Sequence, residues 1–286
     1  MLQVARLSPR VLAESIGLVG HFFRQQLAPR GGFVDRTGQP DLYYTVFGLE
    51  GLIAIHTDPP LVVADYLRSF GAGEALDFVH ACCLARAWAT MSRTDADLDA
   101  ASLGSRLESF RSAEGGYHPA AGSREGTAYA SFLALGAYQD LRMPLPDPRR
   151  LIASIDGLRA RDGAFANQPR MARGQTSATA AAIAVHRQLH HEVDDALGDW
   201  LLARLHPEGG FTAAPDVPMP DLLSTATALH ALASLHRPLD DIRETCLDFI
   251  DTLWTNRGGF YGHWADDHLD CEYTYYGLLA LGHLST

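Results

Sequence analysis

The strongest constraint on this chain is a short phrase that it writes several times. Gly258-Gly259-Phe260 precedes a polar loop, then Asp270-Cys271-Glu272-Tyr273-Thr274, then an apolar run ending Leu278-Leu279-Ala280-Leu281. Gly209-Gly210-Phe211 leads in the same way to Asp221, Thr225 and Ala228-Leu229. Gly163-Ala164-Phe165 leads to Gln175 and Thr179, and Gly115-Gly116-Tyr117 to Thr127 and Ser131. Gly31-Gly32-Phe33 leads to Asp41 and Thr45 through a loop two residues shorter, and a degraded copy runs from Gly71-Ala72-Gly73 to Asp77 and Ala81. Measured at Asp41, Asp77, Thr127, Gln175, Asp221 and Asp270, the copies stand 36 to 50 residues apart. A repeat of this length means supersecondary units stacked on one another.

Helical periodicity fills in each unit. Ser8-Pro9-Arg10 predicts a helix start, with Ser at the N-cap and Pro in the first turn, and apolar spacing continues as far as Leu27. Asp41 caps the next helix, which ends near Thr57-Asp58-Pro59. Further pairs are predicted at 61–70 and 77–91, 103–111 and 127–141, 148–161 and 175–189, 193–205 and 221–236, and 239–254 and 270–284. No period-two alternation predicts a strand. The second helix of each pair is almost uncharged, and a helix apolar all round must be buried on all sides. The first helices carry charge on one face, as at Asp240, Asp241, Arg243, Glu244, Asp248 and Asp251. The expected fold is therefore all-α: an (α/α)6 toroid of six helical hairpins, the second helices inside and the first outside. Residues 1–286 are read as a single domain, with repeats at about 10–57, 59–92, 97–142, 147–190, 193–236 and 238–286. A central cavity, entered from the end with the polar loops, is expected.

Composition narrows the function. The net charge is −11, which disfavours a nucleic acid or an anionic membrane surface as partner. All 23 basic residues are Arg, so Schiff-base lysine chemistry and a phosphate-loop lysine are excluded. Cys82, Cys83, Cys246 and Cys271 have neither CxxC spacing nor a disulfide framework, which predicts a reducing, cytoplasmic setting. No apolar run approaches the length of a membrane span, and Met1 to Arg10 lacks the apolar core of a signal peptide.

The Gly-Gly-Phe, loop, Asp-x-x-x-Thr, Ala-Leu pattern resembles the repeat of protein prenyltransferase β subunits and squalene–hopene-type terpenoid cyclases. The resemblance runs from about residue 10 to the end. It implies an apolar, isoprenoid-like substrate, and an isoprenyl diphosphate where a charged head is present. The β subunits hold zinc with an Asp-x-Cys at the fifth inner helix and a His at the sixth. The matching positions here are Asp221-Leu222-Leu223 and Tyr273. One ligand type of three remains, whereas catalytic zinc takes three protein ligands. Pro215 and Pro218 stand in the loop where that branch places cations for diphosphate. No metal and no cofactor is expected.

The cyclase branch places Asp-x-Asp-Asp before an inner-helix Thr, to protonate an alkene or epoxide. Asp270-Cys271-Glu272-Tyr273-Thr274 has carboxylates at the first and third positions of that motif. Two carboxylates facing a dry cavity push one pKa up, as a general acid requires. The structural reading stands beside it. Asp recurs at this position as Asp41, Asp77, Asp221 and Asp270, and an N-cap alone accounts for the recurrence. Asp270 with Glu272 is nevertheless the pair singled out as catalytic. His80 shares its offset with Tyr44 and Tyr273 and is a candidate base, or else a core histidine. Tyr43, Tyr44, Trp88, Tyr129 and Tyr273 are expected to line the substrate cavity with other inner aromatics, Phe47, Phe132 and Tyr276, or else to fill a core.

Arg170 and Arg173 precede the fourth inner helix, as His118 and Arg124 precede the third. They form a candidate anion rim or are solvated loop charges. The cluster His263, Asp266, Asp267, His268, Asp270 and Cys271 is rich in ligand types but has no recognised ligand spacing. Asp95-Ala96-Asp97-Leu98-Asp99 looks like an acid motif on the wrong connection and reads as a helix start. Two function classes stay open: a zinc-independent enzyme, or a non-catalytic binding or partner subunit that kept the barrel. Elemental analysis of the purified protein is expected to show no stoichiometric zinc, because Leu223 and Tyr273 replace thiolate and imidazole. One zinc per chain would overturn that expectation.

Overall fold

Six helices of 13 residues each follow the six cap positions of the repeat. Asp41, Asp77, Thr127, Asp221 and Asp270 each accept a backbone N–H of the first helical turn, satisfying donors that a helix start leaves unpaired. Gln175 makes no such bond. The computed structural model describes residues 1–91 and 98–285, so Asp95, Ala96 and Asp97 lie outside the described residues. Asp99 caps the helix that follows, through Ser102.

In chain order the helices are α1 (Leu2–Ala5), α2 (Pro9–Leu12), α3 (Ile16–Gln25), α4 (Leu42–Ala54), α5 (Val62–Arg68), α6 (Phe78–Thr90), α7 (Ala100–Glu108), α8 (Ala128–Asp140), α9 (Pro148–Asp156), α10 (Thr176–Gln188), α11 (Ala196–Leu202), α12 (Leu222–Ser234), α13 (Asp240–Leu253) and α14 (Cys271–His283). The expected pairs are present, most of them with ends one to five residues shorter than the periodicity suggested; α7 is instead displaced three residues towards the N-terminus, and α9 starts where expected. The first helix is an exception. It is broken into α2, a 3-10 turn at Ala13–Ser15 and α3, with Ala13 at φ 45°. Ser8 has helical backbone angles and makes no capping bond. A further correction concerns strands. β1 (Phe33–Val34) pairs with β2 (Pro40–Asp41), and β3 (Phe211–Thr212) with β4 (Pro220–Asp221), both antiparallel. Two residues are too few to show alternation, so no sequence period announces them.

The chain forms two compact units, Met1–Leu61 with Gly198–Thr286, and Val62–Leu197. In the first, α12 packs on α14 and α14 on α4, so the inner helices of the fifth, sixth and first repeats lie side by side. α1 rests on α14 and α4. It approaches so closely that a Cβ on Gly282 would strike the Val4 carbonyl. In the second unit, α6 packs on α8 and α8 on α10.

One bond explains the repeat. The backbone N–H of the turn aromatic donates to the Thr or Ser hydroxyl four residues past the cap. The pairs are Phe33 to Thr45 at 2.9 Å, Tyr117 to Ser131 at 3.1 Å, Phe165 to Thr179 at 3.1 Å, Phe211 to Thr225 at 2.9 Å and Phe260 to Thr274 at 3.4 Å. The hydroxyls of Thr45 and Thr225 donate on to the carbonyls of their own caps, Asp41 and Asp221. Phe33, Tyr117, Phe165, Phe211 and Phe260 are all 0–1% exposed. Two of the rings lie against glycines one turn further on: a Cβ on Gly48 would overlap the Phe33 ring, and one on Gly277 would come within 2.6 Å of the Phe260 ring. The first glycine of the turn has its own reason. Gly209 has φ +85° and lies against the Thr245 carbonyl of α13, and Gly258 has φ +87° and lies against the Leu18 carbonyl of α3. Only a residue without Cβ fits there.

We predict that Thr225→Val, which keeps the shape and loses the acceptor, costs about 1–3 kcal/mol in urea unfolding because it orphans a buried N–H. Thr225→Ser is expected to retain most of the stability. Equal stability of the two variants would contradict this role.

Candidate functional site

The site is built where the sixth repeat faces the first. α14 begins at the Asp270 cap, so its first two turns present Glu272, Tyr273, Tyr275 and Tyr276. α4 begins at the Asp41 cap and presents Tyr43, Tyr44 and Phe47. Because α14 and α4 pack together, the two turns meet. The Tyr43 hydroxyl donates to Glu272 Oε1 at 2.6 Å. Phe47 stands edge-on to Tyr43 at 4.9 Å between centroids, and 5.7 and 5.5 Å from Tyr275 and Tyr276. Tyr44 makes an edge contact with Tyr43. A carboxyl thus sits at the end of an aromatic wall.

Asp270 has different company. Its Oδ1 accepts the Tyr273 N–H at 2.8 Å, and its Oδ2 accepts Arg36 Nε–H at 2.7 Å. The same guanidinium pairs with Asp266 at 2.9 Å. The side chains of Asp266 and Asp270 are only 6% and 2% exposed. The Tyr273 ring lies with the Arg36 guanidinium 5.3 Å from its centroid and the Gly262 backbone against it, close enough that a Cβ there would fall within 2.6 Å of the ring. Among the described residues Glu272 has no ion-pair partner; Tyr43 is its hydrogen-bond donor.

The protonation states follow from these surroundings. Burial pushes Glu272 up to about 7, against the pull of the Tyr43 hydrogen bond and with the help of the nearby Asp270 charge. Burial also raises Asp270, opposed by the Tyr273 N–H and by Arg36. Asp270 is nonetheless held as a carboxylate by geometry: each oxygen faces an N–H donor, and a proton on Oδ2 would point at another proton. Asp266 is lowered overall: burial would raise it, but the Arg36 guanidinium and two backbone N–H groups outweigh that cost. Tyr44 and Tyr273 are pushed up to about 12, first by burial and then by the neighbouring carboxylates, so both are neutral phenols at pH 7.

Of the residues singled out in the sequence, Asp270, Glu272, Tyr43, Tyr44 and Tyr273 come together here. His80, Trp88, Tyr129, Arg170 and Arg173 belong to the unit 62–197. His80 is tied at 2.8 Å to Asp77 one turn away, and its own N–H is capped by the same side chain. Trp88, expected in a cavity wall, is 2% exposed with Arg68 of the outer helix α5 over its ring. It faces the outer layer, because a helix buried on all sides has core positions on every face. Tyr129 is 38% exposed, and its backbone N–H donates to Asn167. Arg170 is a solvated loop charge, 81% exposed and paired with Glu125 at 2.7 Å; Arg173 is also exposed. Arg124 pairs with Glu114 in the same manner.

The donor set at the zinc positions of prenyltransferase β subunits does not fit zinc. Both Asp221 oxygens are taken by Ser224, Leu223 has no donor atom, and Tyr273 is packed between Arg36 and Gly262. Of the His263-to-Cys271 cluster, Asp266, Asp267 and His268 bring ligand atoms within 4.8 Å of one another, but Asp266 faces Arg36, as Asp270 does, and Cys271 is fully buried. Sequence reasoning missed Arg36. Its one signal is the loop of the first repeat, two residues shorter than the others, in which no helical period assigns a side chain a direction.

Comparison with known proteins agrees with this architecture. The model of the prenyltransferase alpha-alpha toroid domain matches residues 11–83 and 178–285. No curated protein matches the chain. Among solved structures, a variant of the type II terpene cyclase MstE from Scytonema, in complex with its substrate geranylgeranyl dihydroxybenzoate, is similar at TM-score 0.64 and 14% identity, covering 98% of each chain. A second variant of that cyclase, with its product merosterolic acid A, is similar at TM-score 0.64 and 13% identity, covering 97% of this chain and 98% of that one. At this identity the likeness shows the fold alone.

The raised Glu272 carries a signature in stability. Its folded state prefers the protonated form, so its favourable contribution is complete below the unfolded value near 4.5 and is lost as pH rises through about 7. Glu272→Gln is therefore expected to gain melting temperature relative to the parent between pH 5 and pH 8. A difference that does not change with pH would show that Glu272 is not perturbed.

Proposed function

The chain belongs to the prenyltransferase α/α toroid family, and on that footing we propose that it is a zinc-independent, terpenoid-cyclase-like enzyme acting on an isoprenoid or similarly apolar substrate by carboxylate general-acid chemistry. The family match has segments in both units, which supports reading residues 1–286 as one toroid domain. The observation that carries the reading is the Glu272 carboxyl: half-buried, without an ion-pair partner among the described residues, held by Tyr43 and flanked by aromatic rings. Such a group keeps a proton near neutrality and has an apolar surface beside it on which to spend it.

The chemistry follows. The Glu272 proton adds to one carbon of an alkene and leaves positive charge on the other. Ring-forming C–C bonds consume further π bonds, and loss of a proton ends the sequence, so the product is an isomer of the substrate. Tyr43, Tyr44, Phe47 and Tyr276 offer ring faces to the passing cation. Asp270 serves as cap and anion, and its charge opposes ionisation of Glu272. The exposure and ion pair of Arg170 give no support to a diphosphate clamp there, so an uncharged or weakly charged head group fits the reading better.

A second reading, a non-catalytic isoprenoid-binding or partner subunit, is favoured by one observation, the absence of the zinc donors at Leu223 and Tyr273. One experiment separates the two. The protein is incubated with geranylgeranyl dihydroxybenzoate and with linear polyprenes, and isomeric products are sought by chromatography with mass detection. The enzyme reading expects cyclised product from the parent and a loss of about 10²–10⁴-fold in Glu272→Gln. Retained ligand binding with no product from either protein would establish the binding-subunit reading instead.

A further inference from the structure

The first repeat supplies a side chain that the general-acid reading does not itself require. Arg36 stands in the loop between β1 and β2, and that loop is rigidly made. Asp35 Oδ1 accepts the N–H and hydroxyl of Thr37 and the N–H of Gln39, at 2.7–2.9 Å. The Asp35 N–H reaches the Gln39 carbonyl at 2.8 Å, and Gly38 closes the turn at φ +83°. From this closed loop the guanidinium crosses to the loop of the sixth repeat and meets two carboxylates with three of its nitrogens: Nε on Asp270, the two terminal nitrogens on Asp266. A fork of this kind orients as well as neutralises. Its plane also lies against Tyr273.

Two carboxyls two residues apart at the start of one helix compete for a single proton. Their surroundings differ in direct contact: Asp270 is hydrogen-bonded to the Arg36 guanidinium, whereas Glu272 is hydrogen-bonded to a phenol and feels Arg36 only at a distance. We propose that Arg36 is a positioning residue: by pairing with Asp266 and Asp270 together it fixes Asp270 as the anionic cap of α14, and so leaves Glu272 as the carboxyl that carries the transferable proton. The inference rests on the general-acid reading of this site, and assigns which group decides where the proton resides. Other charges and phenols bear on the pair. Asp35 and Tyr44 lie on the α4 side, Tyr43 donates to Glu272, and Tyr273 with Asp221 lies on the α12 side. None of these supplies a cation; Arg36 does.

The test needs no substrate. The carboxylic C=O stretch is followed by infrared difference spectroscopy between pH 5 and pH 9, with circular dichroism and melting curves to confirm folding. The parent is expected to show a carboxyl titrating near neutrality that Glu272→Gln removes. Arg36→Gln combined with Glu272→Gln is expected to restore a signal, because Asp270, without its cation, moves up by about 1–3 pH units. Arg36→Lys with Glu272→Gln is expected to stay silent, since a cation remains. Should the Arg36→Gln proteins fail to fold, Asp266→Asn with Glu272→Gln is the second probe. It removes a neighbouring negative charge while Arg36 remains, so Asp270 is expected to stay anionic and the spectrum silent between pH 5 and pH 9. A silent Arg36→Gln/Glu272→Gln double variant that is folded would overturn the inference, as would an upward shift in the Asp266→Asn protein. A parent with no neutral-range signal would instead sink the general-acid reading, so the two failures are distinguishable.

Discussion

The bond from the turn aromatic's N–H to a helix hydroxyl is the constraint on which the rest of the structure depends. It fastens each turn to its own inner helix, at 2.9–3.4 Å in five repeats. Once the aromatic is fixed, the loop that follows has only one way back to the cap, and the cap residue falls opposite the aromatic, as at Phe33 with Asp41 and Phe211 with Asp221. The residues two and three places past the cap are then placed without further adjustment. These are Tyr43 and Tyr44 in the first repeat, and Glu272 and Tyr273 in the sixth. The second repeat, with Ala81 in place of the hydroxyl, has no acceptor of this kind and is also the repeat whose glycine turn is degraded.

The candidate site lies where the repeat stops repeating. Asp41 and Asp270 occupy the same position and both cap. Asp270 also faces a guanidinium, that of Arg36, which the shortened first loop carries to it. Two positions past the cap, Tyr43 supplies a hydroxyl and Glu272 the carboxyl that receives it. The two repeats therefore contribute unlike halves of one arrangement. A capping position gives a helix start worth about 1 kcal/mol anywhere in the chain; a burial that lifts a carboxyl to about 7 is found here for Glu272.

The repeat made the helical hairpins legible in the sequence, since each cap, each turn aromatic and each apolar inner helix is written in residue types. Asp270 with Glu272 was also legible, from spacing at a helix start. What the spacing did not tell was which group each of the two faces. That depends on Arg36 and Tyr43, residues that lie 234 and 229 positions away and arrive through packing. Arg36 sits in a loop, where no period assigns a direction. Trp88 shows the opposite limit. Its helix is correctly read as inner, yet its side chain turns outward to Arg68, because an all-apolar helix does not reveal which face is which. The two-residue ladders were invisible for want of length.

The central claim is that Glu272 delivers a solvent-exchangeable proton to a carbon of an apolar substrate. It is tested most directly by running the protein with a linear polyprenyl alkene in deuterated water and locating deuterium in the product. The account predicts a cyclised isomer carrying one deuterium at the carbon that was protonated, formed by the parent and not by Glu272→Gln. Product that forms equally well in the Glu272→Gln protein, or that carries no deuterium on carbon, would contradict it.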